Sequence, residues 1–290
     1  MKRRQALQAL GSVVLGWPLA ARAAEGPQPG GRKVLLFSRS ALYEHSVIQR
    51  HGNELSFAEK IFVTLARQAG CAVECTKDGR VFEGDLSRYA AVVTYSCGHP
   101  ADLMKPASLD HSPPLSERGW KNLDASVRGG LPLVGVHPGI WFLPQAFGAD
   151  CFAHGGQQAA KMLVSSPRFP GTSGLGPSFS LFEEWFSLIQ FAKDLHVVLV
   201  QDCAGMSKAA PLDRSCYDRP PFPATWARRY GKARVFYTSM GHREDVWTNP
   251  IFQQIIVGGL SWTLGRFEAD ITPNIEQVAP QANDFRPPPK

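Results

Sequence analysis

Two short stretches carry residue types that do chemistry. The first is Gly135-Val136-His137-Pro138-Gly139, which closes the apolar run Leu131–Val136. A strand ending in Gly-x-(reactive residue)-x-Gly has the form of a nucleophile elbow. The glycines permit a sharp turn, and the middle side chain stands at the carboxyl end of a parallel sheet, where α/β proteins build their sites. Here the middle residue is an imidazole instead of a hydroxyl or thiol, so His137 is expected to act as a ligand or a proton carrier, not as an acyl acceptor. The second stretch is His242-Arg243-Glu244, soon after the apolar run Arg234–Thr238. From a late loop His242 can face the elbow across the sheet top, with Glu244 orienting its ring as the acid does in a triad. For both histidines the competing expectation is a hydrogen-bonded structural role.

The elements that must position these residues are legible from hydrophobic patterning. Lys33–Ser38 reads as a first strand, followed by a loop, Arg39–Asn53, that holds His45 and His51. Glu54–Ala69 has apolar residues at helical spacing and stops at Gly70. Cys71–Thr76 and Tyr89–Tyr95 read as strands, Ser116–Arg128 as a helix closed by Gly129-Gly130, and the elbow strand follows. Near-continuous apolar strands alternating with helices predict a mostly parallel sheet covered on both faces. The second half differs: Ala159–Ser165, Leu195–Val200, Ala224–Arg229 and Arg234–Thr238 are strand-like and separated by Pro/Gly-rich loops, which predicts added antiparallel strands. Ile251–Leu264 should be the last helix, and Glu268–Lys290 a tail along the surface. No Gly-rich dinucleotide fingerprint or P-loop is present, which removes nucleotide binding as the leading expectation.

A basic start (Lys2-Arg3-Arg4), an apolar run (Ala9–Leu19) and small residues at Ala20-Ala21-Arg22-Ala23 have the order of an export signal, and Arg3-Arg4 resembles the twin-arginine type. The expected division is therefore a signal at 1–23, a linker at 24–32, one domain at 33–267 and a tail at 268–290, in a periplasmic or secreted protein with no membrane attachment after signal removal. The first 23 residues hold four basic and no acidic side chains, so the remainder carries 27 basic against 25 acidic, a net charge of +2. The basic pI is thus mostly a property of the signal, and a nucleic-acid partner is not expected. Of the six cysteines, Cys203 and Cys216 flank one loop and are the expected disulfide; with no Cys-x-x-Cys there is no zinc-finger or redox pair.

The order of several further segments resembles one family. Together with Gly135-Val136-His137 and Gly241-His242, they are Tyr43-Glu44-His45-Ser46, Phe152-Ala153-His154, Glu183-Glu184-Trp185-Phe186, Pro223-Ala224-Thr225-Trp226, Arg234-Val235-Phe236-Tyr237, Trp247, Pro250 and Phe252. The chain resembles the ThuA-like (trehalose utilisation) family of the class I glutamine amidotransferase-like superfamily, with His137 in the place of the catalytic Cys. At Phe186 the family usually has Tyr, so no hydroxyl acts there.

The resemblance implies a flavodoxin-like three-layer sandwich with a pocket at the carboxyl edge of the sheet, and a small-molecule carbohydrate as partner. It also implies that glutamine hydrolysis is lost, since imidazole does not reproduce a thiolate and its base. His137, His242, Glu244 and Glu184 are the expected catalytic residues, with Glu183 second to Glu184. Trp141, His45, Trp226, Trp247 and Tyr237 are the expected substrate contacts, the alternative for each Trp being core packing. His51, His99, His111 and His196 are expected to be structural, and Cys97, at a strand end, is a weak candidate for a replacement nucleophile. Two mechanisms fit. In one, His137, His242, His154, His45 and Glu184 supply ligands for zinc, manganese or iron. In the other no cofactor is needed, and His137 and His242 act as acid and base on a sugar. A protein that binds a sugar or a partner without turnover, and a homo-oligomer, are both compatible with the sequence.

Overall fold

Ser56 starts the first helix. Its hydroxyl accepts from the Glu59 amide while the Glu59 carboxylate accepts from the Ser56 amide, a capping box that opens α1 (Phe57–Gln68). The buried Glu59 carboxylate also takes the Arg50 guanidinium at 2.6 and 2.8 Å, and so anchors the loop that carries His45. The computed structural model describes residues 31–207 and 216–286. The expected signal, most of the linker and the last four residues lie outside the described residues.

In chain order the elements are β1 (Lys33–Phe37), α1, β2 (Val73–Thr76), β3 (Tyr89–Thr94), α2 (Pro100–Leu103), α3 (Glu117–Gly129), β4 (Leu133–Val136), α4 (Pro144–Phe147), β5 (Asp150–His154), β6 (Gln158–Val164), β7 (Ser178–Glu183), β8 (Phe186–Ile189), β9 (His196–Asp202), β10 (Phe222–Tyr230), β11 (Ala233–Thr238), α5 (Glu244–Trp247), α6 (Pro250–Thr263) and α7 (Ile275–Val278). Nine strands form one sheet in the order β2-β1-β3-β4-β11-β10-β9-β6-β7. The pairings from β2 to β11 are parallel and those beyond are antiparallel. The parallel part has the flavodoxin-like order, with β11 in the fifth place.

The helices cover both faces, as the apolar strands require. On one face α6 lies over β11 so closely that a Cβ on Gly259 would stand 2.4 Å from the Phe236 ring. On the other face Tyr237 meets Phe147 of α4, and Phe37, Phe82 and Phe142 pack together under α3.

Four features differ from the sequence-based expectation. The strands β5, β7 and β8 were not anticipated; β5 and β8 pair in a separate two-stranded sheet that sets His154 opposite Phe186. The antiparallel half curls: β7 is four places from β11 in the sheet, yet Glu183 at its end accepts from the Gly241 and His242 amides beyond β11. The C-terminal tail is docked, not trailing. Asn274 accepts from the Val197 amide and donates to the Val197 carbonyl, Asn283 does the same with Phe191, and Ile275, Ala279 and Ala282 are buried. An Asn side-chain amide offers both a donor and an acceptor, and so can satisfy the amide and the carbonyl of one backbone residue. Finally, no disulfide joins Cys203 to Cys216. Both are buried near the Arg219 guanidinium, which is itself held by Ser187, Leu188 and Ala282.

Candidate functional site

The elbow is built by register. Val136 and Thr238 are the last partners of β4 and β11, so His137 and Ser239 leave the sheet side by side. His137 Nδ1 donates to the Ser239 carbonyl at 2.9 Å, which leaves Nε2 as the nitrogen that faces the neighbouring side chains. The His137 backbone has φ 48°, a left-handed conformation uncommon outside glycine and concentrated at functional sites. Its neighbours make room for it. A Cβ at Gly139 would lie 2.2 Å from the Thr94 carbonyl oxygen, and one at Gly135 would lie 2.6 Å from the Phe147 ring. The Tyr237 hydroxyl donates to the His137 carbonyl at 3.0 Å and pins the turn. Tyr237 therefore supports the elbow from beneath instead of touching substrate.

Around His137 Nε2 the fold gathers groups from four other segments. His242 Nδ1 lies 3.3 Å away and Glu184 Oε1 3.6 Å away, with 3.2 Å between His242 Nδ1 and Glu184 Oε1. The other Glu184 oxygen is 3.3 Å from His154 Nδ1. The His45 ring stands edge-on to both His137 and His242, with centroids 5.0 Å from each. His45 is 3% exposed, and its Nδ1 is buried without a hydrogen-bond partner. His45, His137, Glu184 and His242 each bring one ligand atom within 4.8 Å of all the others. His154 stands outside this group, on the far side of Glu184.

The electrostatics follow from burial and contact. Burial alone would raise Glu184, but the hydrogen bonds and charges of His137 and His242 outweigh it and hold the carboxyl well below its usual range. Burial would lower His242; contact with Glu184 reverses this and raises it. His45 is pushed down by burial and then by His137 and His242, so it stays neutral. Glu183 is fully buried and raised by burial, opposed by His137 and by the Gly241 and Glu184 amides that it accepts from.

Several expected residues lie elsewhere. Glu244 does not orient His242. It opens α5, which turns its carboxylate back to the His45 loop, where it accepts from Ser46 Oγ at 2.6 Å. Glu184 takes the orienting role. Trp226 and Trp247 are core residues: their indole N–H groups donate to the Phe147 and Gly241 carbonyls, both at 2.8 Å, and both rings are fully buried. His196 is structural, bonded to Ser166 and Thr272.

Trp141 does line the pocket, with Tyr43, His45, Cys97, His154, Glu184 and Phe186, around a cavity of about 250 Å³. Trp141 and Phe186 stack at 5.5 Å, and Phe186 covers His137 at 4.2 Å. Burial pushes the Cys97 thiol up to about 12, so it is not a replacement nucleophile. A larger hollow of about 570 Å³ lies at the amino edge of the sheet, but among the described residues Arg32 and Asp85 are the only charged ones lining it.

No sequence signal marks Ser239, whose contribution is a backbone carbonyl, or Gln157, whose side-chain nitrogen lies 3.0 Å from His242 Nε2 while its oxygen takes Arg243. Glu183 was visible only as the neighbour of Glu184.

Fold and site together define a flavodoxin-like α/β protein whose elbow offers an imidazole to a His/Glu cluster. The chain belongs to the ThuA family, described by trehalose utilisation, whose profile matches residues 33–263. A ThuA-like protein from Bacteroides uniformis superposes with a TM-score of 0.61 at 17% identity, covering 86% of this chain and 95% of that one. A second, from Parabacteroides merdae, has a TM-score of 0.59 at 14% identity, with 83% and 92% covered. At such identities these likenesses establish the fold. No curated protein matches the chain significantly.

Proposed function

We propose that the protein is an enzyme acting on a carbohydrate or sugar derivative, by non-covalent chemistry at His137, His242 and Glu184. One observation carries this reading: the pocket sets an aromatic wall, Trp141 stacked on Phe186, beside the carboxylate of a His/Glu cluster. An aromatic face packs on the apolar face of a sugar ring, while the polar groups meet its oxygens. The volume of about 250 Å³ is below that of drug-sized sites, about 300–1,000 Å³, and matches a single ring. Family membership supports the substrate class. Covalent acyl transfer is disfavoured because the elbow holds no thiol and Cys97 stays protonated. The order of basic, apolar and small residues over 1–23 supports work outside the cytoplasm.

The test is incubation with a panel of ordinary and oxidised (keto) mono- and disaccharides, followed by calorimetry for binding and NMR for turnover. The reading expects turnover that is lost in His242→Ala and in Glu184→Gln. Trp141→Ala should weaken binding by about tenfold, the loss of one aromatic contact. Binding without turnover of any member would make the protein a sugar-binding module; no binding at all would end the carbohydrate reading.

A further inference from the structure

We propose that His137 Nε2, His242 Nδ1, Glu184 Oε1 and the His45 ring hold a divalent transition-metal ion with an open position facing the pocket. This deepens the proposed function, and rests on it only for the identity of the substrate.

The first support is distance. Metal bonds to imidazole nitrogen or carboxylate oxygen are about 2.0–2.1 Å, so two ligands at a tetrahedral angle stand about 3.4 Å apart. The three contacts among His137 Nε2, His242 Nδ1 and Glu184 Oε1 are 3.3, 3.6 and 3.2 Å. These are the edges of a coordination face, set by the protein before any ion arrives.

The second support is the state of the nitrogens. The Ser239 carbonyl takes the Nδ1 proton of His137, so Nε2 is the nitrogen available to a ligand. Metal-bound histidines are held in this way, by a backbone carbonyl or carboxylate on the other nitrogen. His45 supplies an independent observation: its ring is 97% buried, and its Nδ1 has no hydrogen-bond partner. A buried, unsatisfied polar atom is costly, and a native structure retains one where something else satisfies it.

The supporting shell is rigid. Glu183 fixes the backbone of both Glu184 and His242, and Tyr237 fixes His137. With Nδ1 of His242 on the ion, Nε2 keeps its proton, so the Gln157 amide, whose nitrogen faces Nε2 while its oxygen accepts from Arg243, has to turn over and release Arg243 when the ion binds. Three nitrogens and one oxygen suit zinc, iron or manganese and not magnesium or calcium, which take oxygen ligands. Glu184 and His45 border the pocket, so a substrate oxygen can reach the ion from the Trp141–Phe186 side. There the ion would polarise a carbonyl or lower the pKa of a bound water.

The experiment uses untagged full-length protein. Metal content is measured after growth with zinc, manganese or iron, and chelator-stripped protein is titrated with Zn(II), Mn(II), Fe(II) and Co(II). We expect one ion per chain, a Co(II) visible spectrum of a mixed nitrogen and oxygen site, and a melting temperature raised by metal. His45→Ala and Glu184→Gln should bind roughly 100-fold more weakly, with the Co(II) spectrum altered, while His154→Ala should bind as the parent does. Circular dichroism checks that each variant is folded, and if one is not, the other carries the test. Metal content far below one per chain with all four ions, or unchanged affinity in a folded His45→Ala or Glu184→Gln, overturns the inference. Metal without sugar turnover leaves the ion in place and removes the substrate assignment; turnover without metal does the reverse.

Discussion

At the scale of single residues, the site depends on which groups are ionised and which are not. Glu184 remains a carboxylate because two imidazoles face it, while Cys97, in the same pocket, remains a thiol because nothing offsets its burial. With the thiol at about 12, the thiolate is a negligible fraction at pH 8. Iodoacetamide at that pH should therefore leave Cys97 unmodified in the folded protein and label it after denaturation, as read by peptide mass spectrometry; rapid labelling of the native chain would contradict this. The residue scale is also where the sequence misled. His242-x-Glu244 has the spacing of a local acid–imidazole pair, but the acid that reaches His242 is Glu184, 58 positions earlier. Local spacing says nothing about a partner delivered by another strand. The large indoles went to the core for a simple reason: burying Trp226 and Trp247 removes more apolar surface from water than almost any other pair would.

At the scale of elements, β1 to β4, α1, α3 and α6 were legible because each is a continuous apolar run or a clear 3.6-residue pattern. β5 and β8 were not. Asp150–His154 and Phe186–Ile189 are short and pair only with each other, so neither shows the alternation that marks a longer strand. The elbow was legible down to its glycines, and the structure gives each a steric cause. Gly139→Ala would put a methyl group on the Thr94 carbonyl, and the overlap at 2.2 Å leaves no flexible atom to yield. It should cost about 3 kcal/mol, the upper range for overpacking a core. The measurement is the chemical denaturation midpoint, and a midpoint equal to that of the parent would show that the turn yields to the added methyl group.

At the scale of the molecule, the tail belongs to the fold. Asn274 closes the exposed hydrogen bonds of Val197, and the strand that it serves lies next to β10 and β6 in the sheet. Asn274→Ala strands the buried Val197 amide, while the Val197 carbonyl keeps its bond from Ser165 Oγ, and should lower stability by about 1–3 kcal/mol. Asn274→Asp keeps the acceptor for the Val197 amide and should lose less. Thermal melting of the two variants checks the order, and equal melting temperatures in both and in the parent would mean that the tail is only laid against the sheet. The tail escaped the sequence reading because its anchors are single polar residues among prolines, without any periodic signal.

The curl of the antiparallel half has a consequence for how the protein comes to be active. β1 to β4 make the ordinary connections of a flavodoxin-like sheet, whereas β11, the other neighbour of the elbow strand, is reached only after β5 to β10. Glu183, however, meets Gly241 and His242 only when the β6–β7 hairpin has swung over the carboxyl edge and the chain has returned through β9, β10 and β11. Contacts of such long sequence separation are made late in folding, because loop-closure entropy must be met before they contribute. Val136 and Thr238, the last partners of β4 and β11, are 102 positions apart, so closing the sheet at β11 and bringing the histidines together belong to the same late stage of folding.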